Sequence, residues 1–191
     1  MDRKVVVIAI SVFLAVLFIS TVGSFYTGYT ILQSDIKLSH FPYPFVKNND
    51  YNSLFIVLPN SYTLDEYEAA KDISLGLQFT RPLPPEVVTE SNLPEGNHNL
   101  ILIGDPCTNS QISYYLETND CNLGLKNGEG IIQLVNNDRT SVLVVSGYDT
   151  SSIRKAAKVL AKHNSFPLKN NRIVVSGGNL QNPYSFLLKY N

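Results

Sequence analysis

Residues 141–160, SVLVVSGYDTSSIRKAAKVL, are the stretch that decides the fold. Ser141–Val145 is an apolar run of strand length. Asp149 follows it after a short turn and is a residue type that caps helix N-termini. Beyond the cap, apolar side chains recur at the helical period, at Ile153, Ala156, Ala157 and Leu160. The stretch therefore predicts a buried strand, a turn and a helix that packs back on the sheet.

The same strand–helix order occurs earlier in the chain. Leu54–Leu58 is an apolar run, and after it Thr63 and Glu66 have the spacing of a capping box. This cap predicts a helix over 64–77. The apolar stripe of the helix is predicted to consist of Tyr67, Ala70, Ile73 and Leu77.

The remaining apolar runs complete a sheet. Asn99–Ile103 predicts a strand, and residues 109–116 predict a short helix. Ile131–Val135 is separated from the strand at 141 by a short polar turn, which predicts a hairpin. Arg172–Ser176 predicts the final strand. A further short strand is possible at 87–88.

Alternating strands and helices predict an α/β fold, a three-layer sandwich of Rossmann-like or flavodoxin-like kind. Its sheet is expected to be mostly parallel, but mixed by the hairpin, and one transmembrane helix is expected to precede it. The predicted divisions are a signal-anchor at 1–26, an extended stalk at 27–49, an α/β domain at 50–178 and a C-terminal tail at 179–191.

The signal-anchor prediction depends on the uncharged, mostly apolar run from Val5 to Val22. Arg3 and Lys4 precede this run, and the next basic residue is Lys37, so the positive-inside rule places the N-terminus in the cytoplasm. The alternative is a cleaved secretory signal, for which the run is long and residues 20–23 are a poor cleavage site. The domain is therefore expected outside the cytoplasm, held by a single pass through the membrane.

Composition narrows the choice of partners. The chain has 15 Lys and Arg against 16 Asp and Glu, a formal net charge of −1. Without an excess of positive charge, no nucleic-acid partner is expected.

Cys107 and Cys121 are the two cysteines of the chain, and both lie in the predicted exported part. An even number of cysteines in an oxidising compartment predicts a disulfide. Closing a loop of this length stabilises a fold by about 3 kcal/mol in the chain-entropy model. Zinc binding and redox catalysis are the weaker readings, since neither a nearby histidine nor a Cys-x-x-Cys motif is present.

Ligands of such folds bind beyond the carboxyl ends of the strands. Three turns are expected there, at 59–62, 104–108 and 147–150. Asp105, Tyr148 and Asp149 are the candidate ligand residues, although Asp149 also suits a helix cap and Asp105 a turn before proline. Phosphate-loop, dinucleotide and nucleophile-elbow motifs are missing from the sequence, so neither a cofactor, a metal nor catalysis is expected.

Several segments together resemble the repeated α/β domain of archaeal S-layer proteins. They are Phe41–Val46 with Leu54–Leu58, Leu100–Cys107, Asp120-Cys121, Gly128–Leu134, and Val142–Asp149 with Arg154–Leu160. The resemblance implies a structural cell-envelope protein that packs against copies of itself or against other envelope proteins. Lattice formation is not implied, because S-layer proteins are longer and carry further domains.

The sequence thus predicts a non-catalytic, S-layer-like structural or interaction protein anchored in the cytoplasmic membrane. The alternative is an extracytoplasmic domain that binds a small ligand, or hydrolyses one, with the loops at the strand carboxyl ends.

Overall fold

The structure is a computed structural model of the chain, and it describes residues 36–48, 50–51, 53–78, 84–136 and 140–190. The predicted signal-anchor at 1–26 and residues 27–35 of the predicted stalk lie outside the described residues. Lys37–Asn191 groups into one compact unit. Within the described ranges, no helix combines the length and the apolar character that crossing a membrane requires.

The described fold contains seven strands and three α-helices. The strands are β1 Leu54–Leu58, β2 Glu86–Thr89, β3 Asn99–Ile103, β4 Gly130–Asn136, β5 Ser141–Gly147, β6 Arg172–Ser176 and β7 Leu187–Tyr190. The helices are α1 Leu64–Gly76, α2 Ser110–Leu116 and α3 Thr150–Ala161. The strands predicted at 54–58, 99–103 and 172–176 have these bounds, and the other predicted elements differ from the observed ones by one or two residues at their ends.

All seven strands lie in one sheet, in the order β2-β1-β3-β5-β4-β6-β7. The pairs β1–β2, β1–β3 and β3–β5 are parallel, whereas β4–β5, β4–β6 and β6–β7 are antiparallel. The prediction of a mixed α/β fold is confirmed, and so is the hairpin of β4 and β5. Most strands run in one direction, with β4 and β7 opposed to them, yet half of the neighbouring pairs are antiparallel.

The sequence predicted β6 as the last strand of the sheet. This prediction is wrong, because β7 follows it. β7 pairs with β6 and forms one edge of the sheet, although it lies in the predicted C-terminal tail. Its sequence, Leu-Leu-Lys-Tyr, is short and half-exposed, so it lacks the continuous apolar run by which the buried strands were recognised.

The two faces of the sheet meet different helices. On one face, Val57, Leu102 and Val144 pack with Ile112 of α2. On the other face, α1 and α3 pack against each other and against the sheet. Successive side chains of a strand point to opposite faces, so the central strands are buried on both sides.

Two glycines lie under the first turn of α3. Gly130 of β4 and Gly147 of β5 are cross-strand partners. A Cβ atom at either position would meet the backbone of Ser152. The start of α3 therefore lies directly on backbone atoms of the sheet.

A segment before β1 packs into the domain. Leu38 and Phe45 are each 1% exposed, and the Leu38 N–H donates a hydrogen bond to the Asn170 carbonyl oxygen at 2.9 Å. The Phe41 ring contacts the imidazole of His163 edge-on at 5.0 Å, and burial lowers the pKa of that imidazole. Residues 38–45 of the predicted stalk thus contribute side chains to the core, whereas a stalk at 27–35 stays a prediction.

The first helix begins as predicted but presents a different face. The Thr63 N–H donates to Glu66 Oε2 at 2.7 Å, and the Glu66 N–H donates to Thr63 Oγ1 at 3.3 Å, which confirms the capping box. Ala70 and Ile73 are buried as predicted, but Tyr67 is 44% exposed. Glu66 is buried instead of Tyr67, because the capping box holds its carboxylate against the N-terminus of the helix.

Candidate functional site

Asp105, the first predicted ligand residue, is used by its own turn. Its Oδ1 accepts hydrogen bonds from the backbone N–H groups of Cys107 at 2.7 Å and Thr108 at 3.1 Å. Its Oδ2 accepts one from the Thr108 hydroxyl at 3.0 Å. The carboxylate therefore stabilises the turn between β3 and α2.

Asp149 and Tyr148 lie at the start of α3. Asp149 Oδ1 accepts hydrogen bonds from the Ser152 N–H at 2.7 Å and the Ser152 hydroxyl at 2.8 Å, which is the predicted N-cap. The Tyr148 side chain is exposed. Among the described residues, no hydrogen bond joins Asp105 to Tyr148 or Asp149, and a ligand role for the three stays a prediction.

The sulfur atoms of Cys107 and Cys121 form a disulfide, with their Cα atoms 5.2 Å apart. The bond links the turn before α2 to the loop after it. Asp105 Oδ lies near both sulfurs, and the three residues have the spacing of a metal cluster. Sulfurs in a disulfide lack the thiolate that binds metals, so the Cys107–Cys121 pair is a structural crosslink.

A cleft of about 550 Å³ lies between α1 and the strand β2, a volume typical of small-molecule sites. Its lining includes Leu58 and Thr89, the last residues of β1 and β2. The cleft therefore extends along β2 and reaches the carboxyl ends of two parallel strands, where α/β folds bind ligands. The lining also includes two tyrosines and several polar side chains, among them Tyr62, Tyr67, Lys71, Glu86, Thr89 and Asn92.

The cap of α1 positions the two tyrosines. Thr63 is the N-cap residue, so Tyr62 precedes the cap and Tyr67 is the fourth residue of the helix. These are the two positions of a hydrophobic staple. Their rings are stacked, with centroids 6.1 Å apart and planes 26° apart, and each side chain stays nearly half exposed. The local sequence thus holds a stacked, partly exposed pair of aromatic rings at the cleft.

Hydrogen bonds connect the loops around the cleft. Asn60 Oδ1, after β1, accepts a hydrogen bond from the Ser91 N–H at 2.9 Å. Asn92 Nδ2 donates to Thr89 Oγ1 at 3.0 Å, and the Ser74 hydroxyl donates to the Pro85 carbonyl at 3.2 Å. The walls of the cleft are therefore fixed before any ligand arrives.

The charges of the lining nearly cancel. Among the described residues of the lining, Lys71 and Glu86 are the two charged ones, and Lys71 also lies 3.8 Å from the Glu68 carboxylate. Within the described part of the chain, Asn92 Oδ1 and the Glu86 carboxylate accept no hydrogen bond. The cleft consequently offers aromatic faces and open polar groups without a strong field, which suits a neutral polar ligand.

Residues 37–175 match the family model of the first FD domain of cellulose synthase BcsB. The match takes in 139 of the 191 residues. The chain belongs to this family. The cleft and the disulfide both lie inside the matched FD domain, whereas β7 lies beyond it. No curated protein sequence matches the chain.

The FD domain match shows that the S-layer resemblance is wrong, and with it the expected archaeal S-layer function and S-layer self-association. The segments that carried the resemblance are strands with their turns and caps: Leu100–Cys107 is β3 with the turn after it, and Val142–Asp149 is β5 with the cap of α3. Sheets built from strand–turn–helix units share segments of this kind in this order, so the segments do not distinguish one family from another. The alternative, a small-ligand or hydrolytic domain built on the three loops, gains no support from the match.

Sequence reasoning missed the cleft because it assigned Tyr67 to the buried stripe of α1. The signal was present in the capping box. It places Tyr62 and Tyr67 at the positions of a hydrophobic staple, where both rings lie at the N-terminus of the helix. The contribution of β2 was missed for another reason. A four-residue strand at the edge of a sheet has no periodic pattern by which to recognise it.

Proposed function

We propose that this chain is a non-catalytic accessory subunit of a cellulose-synthesising assembly. The observation that carries the proposal is the match of residues 37–175 to the first FD domain of BcsB. Its partner in the assembly is then the membrane-associated subunit that polymerises glucose. In this role the chain positions the product or the partner and forms no bond itself.

The hydrogen bonds of the carboxylates support a non-catalytic role. The carboxylates of Asp105 and Asp149 accept hydrogen bonds from backbone N–H groups of their own turns. A general acid or base must reach the reacting group with a proton to give or accept. The two candidate carboxylates are already engaged in structural hydrogen bonds.

We further propose that the FD domain lies outside the cytoplasm, anchored by the apolar segment at its N-terminal side. Support comes from Arg3 and Lys4 before the run Val5–Val22, and from the disulfide, a bond typical of oxidising compartments.

The location is tested on intact spheroplasts with a membrane-impermeant maleimide. Without reductant we expect no labelling, because Cys107 and Cys121 are bonded to each other. After an impermeant reductant, both cysteines should be labelled, since both are exposed on the domain. Labelling that requires permeabilised membranes would place the domain inside and overturn the proposal.

The function is tested by deleting the gene for this chain in its source organism. We expect cellulose, measured as the glucose that purified cellulase releases from the cells, to fall severalfold. The wild-type chain should restore it. The double variant Asp105→Asn, Asp149→Asn should restore it equally well. The amide oxygen of asparagine can still accept the backbone hydrogen bonds at both positions, and asparagine caps a helix nearly as well as aspartate, so the change at Asp149 costs about 1 kcal/mol or less.

Unchanged cellulose after deletion would contradict the accessory role. A double variant that accumulates in folded form but fails to restore cellulose would contradict the non-catalytic part of the proposal, because the change removes two carboxylates and little else.

A further inference from the structure

We propose that the cleft between α1 and β2 binds a segment of a β-linked glucan, with the rings of Tyr62 and Tyr67 as its stacking platform. This inference rests on the proposed function, because the match supplies cellulose as the polymer that the assembly handles. The geometry of the cleft supplies the rest of the argument.

The rings offer the surface that a sugar ring needs. A pyranose ring in a β-linked glucan carries its hydroxyl groups around its edge and C–H bonds on its two faces. These C–H bonds are weakly positive and pack on the negative face of an aromatic ring. Tyr62 and Tyr67 are 46% and 44% exposed, and their planes differ by only 26°. The stacked pair thus stays partly exposed, and a ring face that it leaves open to the cleft can support a sugar of a flat chain.

The polar lining suits the edges of the same sugars. Hydroxyl groups that leave water need new hydrogen-bond partners, or their burial costs free energy. Lys71 supplies donors, and the Glu86 carboxylate and Asn92 Oδ1 supply acceptors that are open within the described residues. A donor thus lies on the α1 wall and acceptors lie on the β2 wall, with the aromatic pair at the start of α1.

The charge and shape of the cleft favour a neutral chain over an ionic ligand. Among the described residues of the lining, the one cation and the one anion offset each other, so a phosphate or a carboxylate gains little from them on entering. The cleft also opens at the edge of the sheet, beside β2, the first strand of the order. A polymer can lie along such an opening and does not need a free end to enter it.

An extended peptide that adds a strand to β2 is the competing occupant. β2 has four residues, which gives few backbone hydrogen bonds to an added strand. A peptide strand would also leave the two tyrosine rings at the start of α1 without a role. The aromatic pair therefore favours the glucan.

The test is isothermal titration of the purified full-length chain in detergent micelles with cellohexaose. We expect saturable binding, and at least tenfold weaker binding or none with maltohexaose, whose α-linkages bend the chain off the platform. The double variant Tyr62→Leu, Tyr67→Leu should weaken cellohexaose binding at least tenfold. Leucine keeps the apolar contact of the staple but has no aromatic face, so the fold should be retained, as thermal unfolding can verify.

Two matched variants complete the design. Tyr114→Leu changes a 72% exposed tyrosine on α2, on the other face of the sheet, and should leave the affinity unchanged. The double variant Tyr62→Phe, Tyr67→Phe keeps both rings and should stay within threefold of the wild type.

Three results would overturn the inference: no cellohexaose binding by the wild type, equal binding of maltohexaose, or equal affinity in the double leucine variant. A peptide-binding edge would give the first of these. None of these results bears on the proposed function, which is tested by the deletion experiment alone. A deletion that leaves cellulose unchanged would instead overturn the function, whatever the titration shows.

Discussion

Replacing Gly147 by alanine is expected to destabilise the fold by about 3 kcal/mol, the upper end of the usual cost of overpacking and a large part of the stability of a domain of this size. The new Cβ atom would lie 2.6 Å from the Ile153 nitrogen and 2.8 Å from the Ser152 carbonyl carbon. Both atoms belong to the backbone of α3, so no side chain can rotate away. The helix must shift as a body, which opens its contacts with β4, β5 and β6. Denaturant unfolding monitored by circular dichroism measures the loss.

Gly124→Ala is the control for the added methyl group. Gly124 has no atom within 4 Å of its would-be Cβ, but its φ is +68°, so the expected cost is only the strain of a left-handed residue, about 1–2 kcal/mol. A Gly147→Ala protein as stable as the Gly124→Ala protein would show that α3 does not lie this close to the sheet.

Phe45→Ala is expected to lower the free energy of unfolding by about 3–5 kcal/mol, the usual cost of emptying a buried phenylalanine site. Phe45 is 1% exposed, and its ring lies 6.0 Å from that of Phe41, which in turn contacts His163. Removing it leaves a cavity beneath the segment that precedes β1. The same unfolding experiment gives the value.

Tyr43→Ala is the matched change in the same segment. Its side chain is 46% exposed, so its loss should move the stability by no more than about 0.5 kcal/mol. If the two variants were equally stable, residues 36–48 would behave as a linker and not as part of the core. The family match begins at residue 37, which agrees with a core role.

The buried strands could be predicted because a strand buried on both faces is a continuous run of apolar residues. β1, β3 and β6 have the predicted bounds, since each is a run of apolar residues ended by polar or turn residues. β7 could not be predicted in this way. An edge strand is exposed on one side and often on one face, so its pattern reflects pairing that exists only once β6 is in place.

The site was less predictable than the fold. Asp149 and the capping box of α1 could be assigned because a cap is a local interaction between residues close in sequence. The cleft joins Tyr67 to Thr89, residues on different elements, and no spacing in the chain encodes that approach. The family could not be inferred either, because the short segments used for it are parts that unrelated sheets share.

The strand order also sets the distance between the two edges of the sheet. β2 and β7 are the two edges of a seven-stranded sheet, and strands lie about 4.8 Å apart, so the six intervals separate them by roughly 29 Å before twist is considered. The cleft is at the β2 end, and Tyr190 is at the other. A fluorophore or a surface tether attached near the C-terminal strand would consequently stand clear of a polymer at the cleft, and energy transfer between labels at the two edges could follow its passage.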